Sequence, residues 1–197
     1  LPARVTESAG TMGLDPVPLL ARIEPVPTLQ DAARDAALVI EAAPEDLALK
    51  RRLFADLESA APPDAILASN TSALPMTAIT AGLRTAHRCV GTHWWNPPHL
   101  IPLVEVIRAA ATSDATMTAT TALLLDAGKT PVRVERDVPG FIGNRLQHAL
   151  WREAIALVEQ GVCDAEAVDT VVKASFGRRL ATLGPLENAD LVGLDLT

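Results

Sequence analysis

The residues best suited to chemistry lie in and just after Gly91-Thr92-His93-Trp94-Trp95-Asn96-Pro97-Pro98. Twelve positions after that histidine, Glu105 interrupts the apolar run Leu103-Val104-Glu105-Val106-Ile107. A carboxylate in an apolar strand is costly unless paired, and the imidazole of His93 is its nearest sensible partner. A histidine leaving one strand beside a carboxylate in the next can serve as a general base held in orientation by an acid, since imidazole titrates near neutral pH. A metal centre is not expected. His87, Cys89 and His93 alternate onto one strand face, but no fourth ligand stands at a zinc-like spacing. His99 and His148 have no evident partner, and Trp94 and Trp95 read as packing residues.

These groups need a scaffold, and hydropathy patterning supplies one. A short helix is expected over 31–37. Ala37-Leu38-Val39-Ile40 reads as a fully buried strand that ends at Glu41-Ala42-Ala43-Pro44. Asp46 to Ala60 reads as a helix, with Leu47, Lys50, Phe54 and Leu57 near one face and Pro62-Pro63 as its stop. Strands follow at 65–68, 88–93, 103–107 and 131–134, with a short helix over 75–81 and a longer one capped by Ser113 or Asp114 and ended by Gly128. This alternation predicts βαβ units and a parallel sheet. After Asp137-Val138-Pro139-Gly140 the pattern turns helical. Ile142, Leu146, Leu150, Ala154, Leu157 and Val158 form one stripe, to be used as core or as a dimer interface. Asp164 caps a further helix, and Gly184-Pro185 precedes another over 187–194.

Composition narrows the function classes. The 197 residues are 49% hydrophobic and 21% charged, with a net charge of −7. Lys and Arg are scattered apart from Lys50-Arg51-Arg52 and Arg178-Arg179, so no nucleic-acid partner is expected. No apolar run reaches the ~18 residues of a membrane span, and no signal peptide is visible. Two cysteines fit a reducing compartment, which points to the cytoplasm.

Six segments in order resemble the L-3-hydroxyacyl-CoA dehydrogenase family: Val39-Ile40-Glu41-Ala42-Ala43-Pro44-Glu45, Ser69-Asn70-Thr71-Ser72, His93-Trp94-Trp95-Asn96-Pro97, Leu103-Val104-Glu105-Val106, Asp137 through Arg145, and Gly184-Pro185-Leu186-Glu187. The resemblance implies an α/β fold: a Rossmann-like NAD-binding domain over 1–137, lacking its N-terminal part, followed by an all-helical domain over 138–197. It implies oxidation of a 3-hydroxyl to a 3-ketone with NAD as cofactor, a small-molecule substrate, and a homodimer built through the helical domain. Carried over by position, His93 is the base, Glu105 its orienting acid, and Ser72 and Asn144 sit at the reacting oxygens. Ala43, Pro44, Glu45, Lys50, Ser72 and Asn96 fall on the cofactor side.

Plainer readings stand beside several of these roles. Ser72 and Asn70 also suit a turn after a strand. Lys50 also suits a solvated helix face. For Asn144, the neighbouring Gly140 and Gly143 favour close approach of a ligand.

The sequence departs from the family in three places. Ser8-Ala9-Gly10-Thr11-Met12-Gly13 only echoes the glycine-rich phosphate loop, after a poor strand and before Pro16 and Pro18. The first strand, loop and second strand are expected to precede Leu1, the helical domain ends early, and the chain alone is expected to be inactive. Ile101-Pro102 before Leu103-Val104-Glu105 resembles the branch that oxidises free hydroxy acids such as carnitine or gulonate, which leaves acyl-CoA and free-acid substrates both open.

Overall fold

In the computed structural model, which describes residues 2–193, the chain begins with two helices, α1 (Pro2–Thr11) and α2 (Pro16–Leu20). The side chain of Asp15 accepts from the Val17 N–H at the start of α2, and Pro16 occupies the first turn, where its missing N–H costs nothing. Ser8, Ala9 and Gly10 lie inside α1, so the glycine echo is helical and forms no phosphate loop. Among the described residues no strand precedes Leu38.

The first βα segments follow: α3 (Leu29–Ala33), β1 (Leu38–Glu41), α4 (Leu47–Ala60), β2 (Ile66–Ser69), α5 (Met76–Ile79) and β3 (Cys89–Trp94). Asp46 caps α4 by accepting the Leu49 N–H at 2.7 Å, and Lys50, Phe54 and Leu57 are its buried residues. Then come β4 (Leu103–Ile107), α6 (Asp114–Asp126) and β5 (Thr130–Val134), followed by α7 (Gly143–Glu159), α8 (Ala165–Ala174) and α9 (Pro185–Val192).

The sheet order is β1-β2-β3-β4-β5. Pairing is parallel except between β3 and β4, which run antiparallel. The expected all-parallel sheet fails there for a simple reason. Only the loop Trp95–Pro102 joins β3 to β4, and a parallel neighbour needs a longer crossover.

Both faces of the sheet are covered. Leu67 and Cys89 pack with Phe54, Leu57, Met76 and Ile79 on one face. Ala68, Val90, Val104 and Val106 pack with Met117 and Leu124 of α6 on the other. Double cover explains the near-continuous apolar strands. The two outer strands are the exceptions: Ile40 of β1 is 44% exposed, against the expectation of a fully buried strand, and Thr130, Val132 and Arg133 of β5 are exposed.

Packing divides the chain into two compact units between Asn144 and Arg145. The first two residues of α7 stay with the first unit: Gly143, like Ile142 before it, donates to Glu105 of β4, and Asn144 donates to the Ser72 carbonyl in the loop after β2. In the second unit the predicted apolar stripe is no core among the described residues. No residue of α7 is buried, and Leu146, Leu150 and Val158 are exposed.

Candidate active site

The antiparallel register sets His93 of β3 directly opposite Glu105 of β4. Directly opposed residues share a face. Theirs is the face away from α6, because Val90, Val104 and Val106 take the other. His93 Nδ1 lies 2.7 Å from Glu105 Oε2, with only 5% and 2% of the two side chains exposed. The second oxygen, Oε1, accepts the backbone N–H groups of Ile142 at 2.9 Å and Gly143 at 3.1 Å. Glu105 therefore also holds the N-terminus of α7, where a negative charge is favoured.

Burial works against ionisation of Glu105. The hydrogen bonds from His93, Gly143 and Ile142, with the charge of a protonated His93, outweigh it and hold the carboxyl below the usual range. An ionised carboxylate only accepts, so the shared proton sits on Nδ1. In the neutral imidazole Nε2 then carries the lone pair, and among the described residues it has no hydrogen-bond partner.

A second set of contacts ties the strand ends together. Asn144 Nδ2 donates to the Ser72 carbonyl at 3.0 Å. Glu45 Oε1 accepts from Thr71 Oγ1 at 2.6 Å and from the N–H groups of Ser72, Ala73 and Leu74 at 2.9–3.2 Å. Partial burial raises the Glu45 carboxyl, but the Thr71 hydroxyl, the Ala73 and Leu74 N–H groups and the Lys50 charge bring it below its ordinary value. The two sets meet at the start of α7, where Gly143 donates to Glu105 and the next residue, Asn144, donates to the Ser72 carbonyl, at the carboxyl ends of β1, β2 and β3. Open α/β sheets bind ligands at such ends.

The family is now decided by comparison. The family described as 3-hydroxyacyl-CoA dehydrogenase, NAD binding domain, matches residues 4–138, and its C-terminal domain matches residues 140–197. The chain belongs to the 3-hydroxyacyl-CoA dehydrogenase family. It is 42% identical over 166 residues to 5-formyl-3-hydroxy-2-methylpyridine 4-carboxylate 5-dehydrogenase of Mesorhizobium japonicum, covering 84% of this chain and 54% of that one. A solved structure of an NAD+-dependent enzyme of that description matches with a TM-score of 0.82 at 41% identity, covering 87% of this chain and 55% of the other. L-carnitine dehydrogenase of Streptomyces griseus is 42% identical over 172 residues, 87% of this chain and 51% of that protein. A probable 3-hydroxybutyryl-CoA dehydrogenase of Bacillus subtilis is 43% identical over 177 residues, 90% and 60% of the two chains. The chain spans about half the length of the curated relatives it matches.

In this member of the 3-hydroxyacyl-CoA dehydrogenase family, the residues singled out from sequence fare differently. His93, Glu105, Ser72, Asn144 and Glu45 come together in the two sets of contacts described above. Ser72 is exposed and its hydroxyl makes no hydrogen bond among the described residues. Ala43 is half-buried and Pro44 exposed beside Glu45. Asn96 is exposed in the loop after β3, a loop that Lys129 holds through the carbonyls of Pro98 and Ile101.

Lys50 does not lie on a solvated helix face. Its side chain is fully buried, and its ammonium is engaged by Glu41 Oε1 at 2.8 Å, Glu41 Oε2 at 3.1 Å and the Ala43 carbonyl at 3.0 Å. It also lies 3.5 Å from Glu45 Oε2. Asn70 has a structural contact: its Oδ1 accepts the Trp94 N–H at 3.0 Å and so holds the end of β3.

Two features escaped the sequence reading. Glu41 is buried and also accepts from Ser69 Oγ at 2.6 Å and the Ala43 N–H at 2.5 Å. Its signal was an acid closing an apolar strand nine residues before a lysine. Trp95 lies against the His93 ring rather than serving only as packing. Pro44, Ser72 and Ala73 are exposed at the carboxyl ends of β1 and β2, where a cofactor's nicotinamide half could lie. They supply no phosphate loop, because α1 occupies the place of the glycine echo.

Proposed function

We propose that the complete protein oxidises an (S)-3-hydroxyacyl substrate, carried as its coenzyme A thioester, to the 3-keto product with NAD. The observation that carries this reading is the buried 2.7 Å contact between His93 and Glu105, with Nε2 left unengaged. Nε2 accepts the proton of the substrate 3-hydroxyl as the hydride leaves carbon 3. Glu105 holds the ring through Nδ1–H and stabilises the imidazolium, while its other oxygen stays saturated by two backbone donors. Ser72 and Asn144 flank the reacting oxygens: Ser72 offers a free hydroxyl, and Asn144 keeps Oδ1 and one N–H beyond its bond to the Ser72 carbonyl. Ala43, Pro44, Glu45 and Asn96 shape the nicotinamide side, with Lys50 behind them. NAD supplies the hydride acceptor when bound.

A second reading keeps this chemistry and replaces the thioester by a free 3-hydroxy acid of the carnitine or gulonate type. It is favoured by Ile101-Pro102 ahead of the Glu105 strand, and relatives of both substrate types stand at 42–43% identity. Steady-state comparison of acyl-CoA thioesters with carnitine and gulonate separates the two. A higher kcat/KM for the thioesters supports the first reading, and a higher one for the free acids replaces it by the second.

The exposed stripe of Leu146, Leu150 and Val158 suits a homodimer interface. Thioester chemistry would set the enzyme in fatty acid metabolism. Two free cysteines suit the cytoplasm. Among the described residues no helix is long and apolar enough to cross a membrane.

A further inference from the structure

One hydrogen bond fixes the direction of Nδ1 but leaves an imidazole free to rock about that bond. Two aromatic rings close off this motion. The Trp95 ring centroid lies 5.4 Å from that of His93 with the planes tilted by 55°, and the Phe141 centroid lies 5.5 Å away with a tilt of 53°. Each ring depends on an unusual backbone feature. Phe141 has φ +49°, a left-handed conformation that bulky residues rarely adopt, and it is only 1% exposed, clustered with Ile107 and Val134. Gly143 makes room for the indole: a Cβ at that position would lie 2.3 Å from Trp95 Cζ2 and 3.1 Å from Cη2. Strain held at such a position marks a conformation that the surroundings enforce.

We propose that Trp95 and Phe141 are positioning residues that clamp the imidazole of His93 so that Nε2 keeps a single direction, with Gly143 as the notch that seats the indole. The role rests on His93 acting as the base. It assigns a reason to glycine at 143 that helix capping does not, since an alanine there would keep the N–H that Glu105 accepts.

The test combines an NMR readout with kinetics. The hydrogen-bonded Nδ1 proton of His93 is followed by ¹H NMR on the chain, assigned by its loss in His93→Gln, with kcat and KM measured wherever turnover is present. Trp95→Leu should broaden the resonance by solvent exchange and lower kcat roughly 10–100-fold, the scale of a small misplacement of a reacting group, with KM little changed. Trp95→Phe should retain both resonance and kcat, because a flat ring remains. Gly143→Ala should behave like Trp95→Leu, and Trp95→Phe/Gly143→Ala should recover, because the smaller ring frees the notch. A wild-type resonance and kcat in Trp95→Leu would overturn the clamp. So would Gly143→Ala defects that persist unchanged in the double variant. Variants that order the resonance in this way in the chain, while His93→Gln keeps near-normal turnover in the complete protein, support the clamp and count against the role of His93 as base alone.

Discussion

Lys50 Nζ lies 2.8 Å from Glu41 Oε1, with 0% and 4% of the two side chains exposed. The pair joins α4 to the end of β1, and its remaining contacts reach Ser69 and Ala43. Removing one partner of a buried pair strands the other charge. Lys50→Met should destabilise the chain by about 3–5 kcal/mol in urea unfolding, while Glu41→Leu/Lys50→Met should recover most of that loss. A double variant no more stable than the single one would show that the charge pairing is not what the buried lysine is for.

Acid should act on this fold in part through two carboxylates of the site, beside Glu58 and Glu135. Glu105 and Glu45 both titrate below the ordinary 4.5 in the folded chain. A depressed carboxyl binds fewer protons folded than unfolded, so its stabilisation is complete above about pH 4.5 and is lost as pH falls through its folded value. Unfolding free energy measured from pH 6 downward should therefore fall on acidification, and the fall should be shallower in Glu105→Gln and Glu45→Gln. Variants that keep the wild-type slope would remove these two groups from the acid response.

Much of the scaffold was legible because its signals were local. Asp46, Ser113 and Asp164 announced helix starts, and each accepts a first-turn N–H. The His93–Glu105 pair was legible because an acid inside Leu103–Ile107 demands a partner. What stayed hidden depends on who neighbours whom. Apolar content alone does not tell an edge strand such as β1 from a central one. The reversal of β4 follows from loop length rather than from strand composition. Lys50 shares the apolar face of α4 with Leu47, Phe54 and Leu57, but its own segment does not show the partner that lets a lysine be buried. Its burial depends on Glu41 arriving from another element, as the position of Trp95 depends on the absence of a side chain at residue 143.

The N-terminal segment bears on cofactor affinity. A dinucleotide's pyrophosphate is ordinarily held by backbone N–H groups where a glycine loop opens a helix. Here Ser8–Gly10 are interior residues of α1. Residues 1–197 alone should therefore bind NADH weakly in a fluorescence titration. A micromolar Kd would mean that some other group grips the phosphates.

The two thiols should differ in reactivity. Burial pushes the Cys89 thiol up to about 12, with the nearby Glu58 charge adding to the rise and Arg88 opposing it. The thiolate is the reactive form. At pH 8 in native buffer, iodoacetamide followed by mass spectrometry should leave Cys89 unmodified, whereas unfolding in urea should expose it. Rapid native labelling at Cys89 would contradict its burial in the sheet.

The most direct measurement is the turnover of His93→Gln in the complete protein. Glutamine keeps a polar side chain of similar reach but cannot accept the hydroxyl proton and carry it as a cation. If His93 is the general base, kcat should fall by ~10²–10⁴-fold, the usual share of such a group, with NADH affinity little altered. Turnover within a few-fold of wild type would contradict it and leave the buried imidazole–carboxylate pair as a purely structural contact.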